Sequence, residues 1–164
     1  MKYFKQEKNY TCGCACVRMM ISHFSQNIPS ELELEKILKT SPNKGTHPNI
    51  IAEYFKNEGY NVVEENNSSL DKVRFYHKEG YVVMLAISVD VPHFTVYNGD
   101  NRNHIFFFDP FFGEISKLIS KFISDKTIYP FYRWRVVSNE FKKYYSEANF
   151  DDEESYNYFI AIKK

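Results

Sequence analysis

No sign of charge dominates this sequence: Lys plus Arg and Asp plus Glu each total 21, so the formal net charge is zero. Nucleic-acid binding ordinarily draws on a basic field, and composition gives that function no support. No apolar run reaches the length of a membrane span. The N-terminus, MKYFKQEKNY, is polar and lacks the apolar core of a secretory signal. The six glycines are scattered, which leaves no glycine-rich phosphate loop. Cysteine is scarce and odd in number, three residues at 12, 14 and 16, which argues against a disulfide framework. A structural zinc site wants four Cys or His ligands at recognisable spacings, and Cys-x-Cys-x-Cys with no nearby His does not match. The expectations are therefore no metal, no cofactor, no nucleic-acid partner, no direct membrane span, and a reducing cytoplasmic setting.

What the chain does have is aromatic side chains. Fifteen Phe and thirteen Tyr lie in 164 residues, and apolar residues make up 43%. That length suits a single domain over 1–164 with a substantial core. Residues 12–24, CGCACVRMMISHF, read as a buried helix, with Cys16, Met20 and Phe24 at helical spacing. Ser30 followed by Glu33 is a capping-box pattern, and Leu34, Ile37 and Leu38 are the expected apolar stripe behind it. Pro48 marks a third helix with Ile50, Ile51, Tyr54 and Phe55 inside, ending before Gly59. A short strand at 60–64 and a helix near 69–78 follow. YVVMLAISV from Tyr81 is a β-branched, buried strand. HFTVYNG, 93–99, ends in an Asn-Gly hairpin cue, with the turn expected around 99–102 and HIFFFDP, 104–110, as partner. Ser116 is expected to cap a helix over 117–124. RWRVV, 133–137, and YNYFIAI, 156–162, read as further strands, and 139–155 as a polar helix-and-loop segment containing the acidic run Asp151–Glu154. Helices early and strands late give an α+β class: a helical lobe of about 1–79 on an antiparallel sheet lobe of about 80–164.

Chemistry concentrates at Cys12. It stands at the mouth of the first predicted helix, where unpaired N–H groups and the helix dipole favour a thiolate. Gly13 permits close approach of backbone or substrate. Cys16 shares the apolar stripe and reads as packing; Cys14 is ambiguous. A thiol nucleophile needs a base that later protonates the leaving amine, and His suits both jobs. Five histidines are candidates. His23 lies inside the first helix, His77 at a polar helix end, and His47 at a helix start. His93 and His104 both open strands, and no spacing rule separates them. Asp109 ends the strand paired with HFTVY, where a carboxylate can orient an imidazole. Asp-Pro followed by Gly113 is equally ordinary turn chemistry. Gln6 can donate one bond to a developing oxyanion, with the Cys12 backbone N–H as the second donor.

The order Gln6…Cys12-Gly13-x-Ala15, Gly45-Thr46, a long apolar strand, His93-Phe94-x-Val96 and Asp109-Pro110-x-x-Gly113 resembles the C39 cysteine peptidases. These are papain-like domains that cut bacteriocin and signal-peptide precursors after a double-glycine leader, many of them at the N-terminus of ABC exporters. The similarity runs from about residue 5 to residue 125. It implies a papain-like fold, a peptide or precursor-protein substrate and an ABC exporter as partner. It makes Cys12 the nucleophile, His93 the general base and acid, Asp109 its orienter and Gln6 the oxyanion donor. Gly45 and Thr46 match a segment near the substrate cleft. Where the family commonly has an acid before the nucleophile, this chain has Thr11. The same residues would also serve a papain-like acyltransferase, and a catalytically silent leader-binding module is the rival from another class.

Overall fold

The computed structural model describes residues 1–66, 68–88, 92–118, 134–135 and 158–164. Helix α1, Cys12–Phe24, is small and apolar over most of its surface, and nine of its thirteen residues are buried. A helix apolar on nearly all sides belongs in an interior. Met19 and Met20, both fully buried, each contribute about 1.5–3 kcal/mol in the area bookkeeping.

Helix α2, Glu31–Ile37, opens on the expected capping box: the Ser30 hydroxyl accepts from the Glu33 N–H, and the Glu33 carboxylate accepts from the Ser30 N–H. Its stripe is not the expected one. Leu34 and Leu38 are buried, but Ile37 is 51% exposed, and the third member is Glu31, which is 2% exposed. Positions 31, 34 and 38 share a helical face, and 37 points away from it. Helix α3, Pro48–Asn57, is capped by His47, whose Nδ1 accepts from the Asn49 N–H. Ile51 and Phe55 are fully buried there, while Ile50 and Tyr54 are partly buried against the same core. Helix α4, Leu70–Lys78, starts at Ser69, whose hydroxyl accepts from the Lys72 N–H.

The strands are β1 (Asn61–Glu65), β2 (Val82–Ser88), β3 (Pro92–Asp100), β4 (His104–Asp109), β5 (Gly113–Leu118), β6 (Trp134–Arg135) and β7 (Phe159–Lys163). They form one sheet in the order β1-β7-β2-β3-β4-β5, with β6 alongside β2. The described neighbours are antiparallel except β6 with β2. The expected α+β architecture is present. Strand β1, from the early helical part of the chain, joins the sheet by pairing with β7.

Successive residues of a strand face opposite sides, and the β2 run shows why it can be apolar throughout. Val82, Met84 and Ala86 pack with α1, α2 and α3, whereas Val83, Leu85 and Ile87 pack with Leu70 and Val73 of α4. The sheet thus has helices on both faces.

Two local expectations are corrected. The β3–β4 turn lies at 101–103, not around 99–102 with Asn-Gly at its start. The Asn101 side chain closes it by accepting the N–H groups of Asn103 at 2.9 Å and His104 at 2.8 Å. Gly99 instead stands at a register shift between Tyr97 and Asp100, with a φ of 91° suited to glycine. Ser116 caps no helix: it is mid-strand in β5, paired with Phe106. Its alternation with the aromatic β4 strand outweighs a local capping cue. The expected helix beyond 118, the segment 139–155 and its acidic run lie outside the described residues.

Candidate active site

Cys12 is the first residue of α1 and is 7% exposed. Thr11 is the N-cap, but its side chain makes no capping bond to the helix. The chain in front of α1 is drawn tight by its own hydrogen bonds. Thr11 N–H donates to the Lys8 carbonyl, and the Lys8 N–H donates to the Thr11 hydroxyl at 3.1 Å. Gln6 is buried, and its Nε2 donates one hydrogen to the Lys8 carbonyl at 2.7 Å. The Gln6 N–H donates to Pro110, directly after Asp109, at 2.9 Å. Gln6 is thereby tied both to the approach to Cys12 and to the end of β4.

Gly13 has a packing reason. A Cβ there would lie 2.8 Å from Cβ and Oγ1 of Thr46, too close for any side chain. Gly45 takes a φ of 59° to close a turn with Ser41, which delivers Thr46 to that spot. The Thr46 hydroxyl is 2.7 Å from that of Thr40, which is 3.3 Å from the Cys14 sulfur. The Gly45-Thr46 pair therefore sits directly behind the start of α1. Burial raises Cys14 to about 11 and Cys16 well above the usual thiol value, so both remain thiols near neutrality.

His93 is buried, and its Nε2 lies 3.1 Å from Oδ2 of Asp109. With Nε2–H given to the carboxylate, Nδ1 is the nitrogen left for a second proton. Cys12 lies near enough to this ring to favour its charged form. Burial pulls the imidazole pKa down, but the charge and hydrogen bond of Asp109, aided by Cys12, outweigh it and raise His93 to about 10. Burial pushes Asp109 upward in turn, and the His93 charge and hydrogen bond together with the Phe112 and Phe111 amides bring it below its ordinary value. Oδ1 of Asp109 accepts the N–H groups of Phe111 at 2.8 Å and Phe112 at 3.0 Å. The two readings of Asp109 are realised together: one oxygen holds the turn, the other holds the imidazole.

The hairpin pairs Val96 with Phe108 and Tyr97 with Phe107. His93 and Asp109 are consequently diagonal neighbours, not directly opposite, a distance that long side chains span. His104 opens β4 at the far end of the strand from Asp109, about 17 Å away at the usual rise per residue. His23 is exposed with its ring against Phe24, and His77 packs edge-on against Tyr97. Of the five histidines, His93 is the one paired with Asp109 and influenced by Cys12.

One residue of this region escaped the sequence reading. Glu31 of α2 accepts the Glu7 N–H at 2.7 Å and the Thr11 hydroxyl. Burial raises its pKa. The available signal was a carboxylate at helical spacing with Leu34 and Leu38. Among the described residues, no cluster of three or more His, Cys, Asp or Glu side chains is arranged to hold a metal ion. No helix among them is long and apolar enough to cross a membrane.

Comparison with known proteins adds a family. Residues 1–128 match the model of the Peptidase C39 family. No curated protein matches the chain by sequence. Among solved structures, the peptidase domain of Streptococcus ComA, a bi-functional ABC transporter of a quorum-sensing pathway, superposes with a TM-score of 0.61 at 19% identity, over 75% of this chain and 91% of that one. A double glycine motif protease from an AMS/PCAT transporter, solved with the leader peptide, gives 0.59 at 15% identity over 74% and 81%. The peptidase domain of Streptococcus mutans ComA gives 0.56 at 18% identity over 76% and 91%. At these identities the likeness is one of fold.

Proposed function

The chain belongs to the peptidase C39 family, and on that premise we propose that it is a cysteine peptidase that cuts a precursor peptide after a double-glycine leader. The observation that carries the reading is the buried His93–Asp109 pair, whose imidazole feels the Cys12 thiol at the mouth of α1.

In the proposed reaction the Cys12 thiolate attacks the scissile carbonyl. Gln6 and the Cys12 backbone N–H receive the oxyanion, each such donor being worth roughly 10²–10³ in rate. His93, as imidazolium, gives its proton to the leaving amine, and the acyl group stays on sulfur as a thioester. The neutral imidazole then takes a proton from water, which attacks the thioester and frees the enzyme. Asp109 keeps Nε2 protonated throughout, so that Nδ1 is the nitrogen that exchanges protons. Two glycines before the cut would let the substrate backbone pass where a side chain could not. The solved relatives named as transporter peptidase domains support the leader-peptide substrate and an ABC exporter as partner.

The test is incubation with synthetic precursors carrying or lacking Gly-Gly, with product masses read by spectrometry. Cleavage after Gly-Gly that vanishes in Cys12→Ala, with an unchanged melting temperature, is expected. An amide-transfer product instead of a free acid would mean an acyltransferase. Tight binding of the precursor with no turnover would mean a binding module.

A further inference from the structure

Glu31 takes no part in the chemistry just described, yet its carboxylate is almost fully buried. Burying a carboxylate is costly, and an apolar residue at this place on the α2 stripe would fill the space at less expense. What the carboxylate does is specific. Its Oε1 accepts both the backbone N–H of Glu7 and the hydroxyl of Thr11. Glu7 follows Gln6, and Thr11 precedes Cys12. One oxygen atom therefore ties the immediate neighbours of the two proposed oxyanion donors.

The same helix reinforces the tie one turn later. Glu35 receives Lys8 Nζ at 2.6 Å and the Tyr10 hydroxyl at 2.9 Å. Both of those bonds are on the more exposed side and can exchange with water at little cost. The Glu31 bonds lie inside. Arg18 approaches the other oxygen, Oε2, at 4.0 Å and stacks over Phe4, so the carboxylate faces a cation on its second side.

We propose that Glu31 is a positioning residue for the oxyanion hole, setting the spacing between the Gln6 amide and the Cys12 backbone N–H. The proposal rests on the cysteine-peptidase reading. Thr11 takes part in it through its hydroxyl, which donates to the Glu31 carboxylate directly before Cys12.

Two reactions of the same sulfur separate this role from general support of the fold. Peptide hydrolysis develops an oxyanion, whereas alkylation of Cys12 by iodoacetamide does not. Glu31→Ala is expected to lower kcat for the cleaved peptide by roughly tenfold to a hundredfold, the scale of one misplaced oxyanion donor, with KM unchanged. Cys12 alkylation, mapped by peptide fragmentation, stays within about twofold of wild type because the Cys12–His93 pair is untouched. Glu31→Gln keeps a carbonyl oxygen that accepts both bonds and retains activity within about threefold. Hydrolysis and alkylation falling together, or hydrolysis unaffected in Glu31→Ala, would overturn the proposal. Should Glu31→Ala fail to fold, Thr11→Val removes one of the two ties; the same split supports the role, and unaltered hydrolysis overturns it. A wild-type protein inert on every precursor peptide overturns the peptidase reading itself and this proposal with it. Cleavage lost in Cys12→Ala but indifferent to Glu31 overturns only the latter.

Discussion

On the helical side of the site, the groups around Cys12 are held by backbone and close packing: Gly13 against Thr46, Gln6 against Lys8, and the approach loop against α2. On the sheet side, His93 is held by Asp109 as a buried pair across a hairpin, with the Phe111 and Phe112 N–H groups fixing the carboxylate. The first kind of construction resists changes of volume at Gly13 and draws on one carboxylate, Glu31, for its approach loop. The second depends on charge throughout, because a buried ion that loses its partner keeps its desolvation penalty.

The largest effect that would break this comparison is on the sheet side. His93→Ala is expected to cut kcat/KM by about 10²–10⁴, the usual worth of a general acid–base. His104→Ala should stay within about twofold. Steady-state kinetics on the same peptide decide it, and equal losses would mean that His104 also reaches the reacting atoms.

Asp109→Asn comes next. Asparagine has one oxygen where Asp109 uses two, so its NH2 faces either the imidazole N–H or the Phe111 and Phe112 N–H groups, and an acceptor is lost with the charge. A loss of about tenfold or more in rate is expected. The pH profile carries the sharper signal. Asp109 is the main group raising His93 against burial. In the variant the alkaline limb of kcat/KM, where the imidazolium is lost, should move to lower pH. The pair's effect on stability has the same sign. The His93 contribution is complete below its ordinary value of 6.5 and is lost as pH rises through about 10. An alkaline limb that does not move would detach Asp109 from the tuning of His93.

The smallest expected effect sharpens the helical side. Gly13→Ala places a methyl against Thr46, and overpacking of this kind costs about 1–3 kcal/mol. Thermal melts should show the loss, with Gly13→Ala/Thr46→Gly, which removes both clashing atoms, recovering part of it. A Gly13→Ala variant as stable as wild type would remove the packing reason for that glycine.

Much of the fold was legible because its signals are local. The capping box at Ser30, Pro48 at the start of α3 and the helical spacing of Cys16 and Met20 all act within one or two turns. The misreadings had local causes too. Asn98-Gly99 looked like a turn, but the Asn101 side chain makes a better one two residues later. Ser116 looked like a cap because the sequence does not say that Phe106 lies beside it. Ile37 is apolar yet exposed and Glu31 is charged yet buried, a reversal that an apolar periodicity cannot express.

By itself the sequence determined the helices, most of the strands, and the placing of a thiol at the start of a buried helix. These follow from backbone propensity and side-chain period, which act over a few residues. Only the tertiary structure decided that His93 rather than His104 pairs with Asp109, that Asp109 serves turn and imidazole at once, and that Glu31 stands beneath the approach to Cys12. Those contacts join segments far apart along the chain, and the energy that selects them comes from burial and charge pairing that exist only once the sheet and helices have closed on one another.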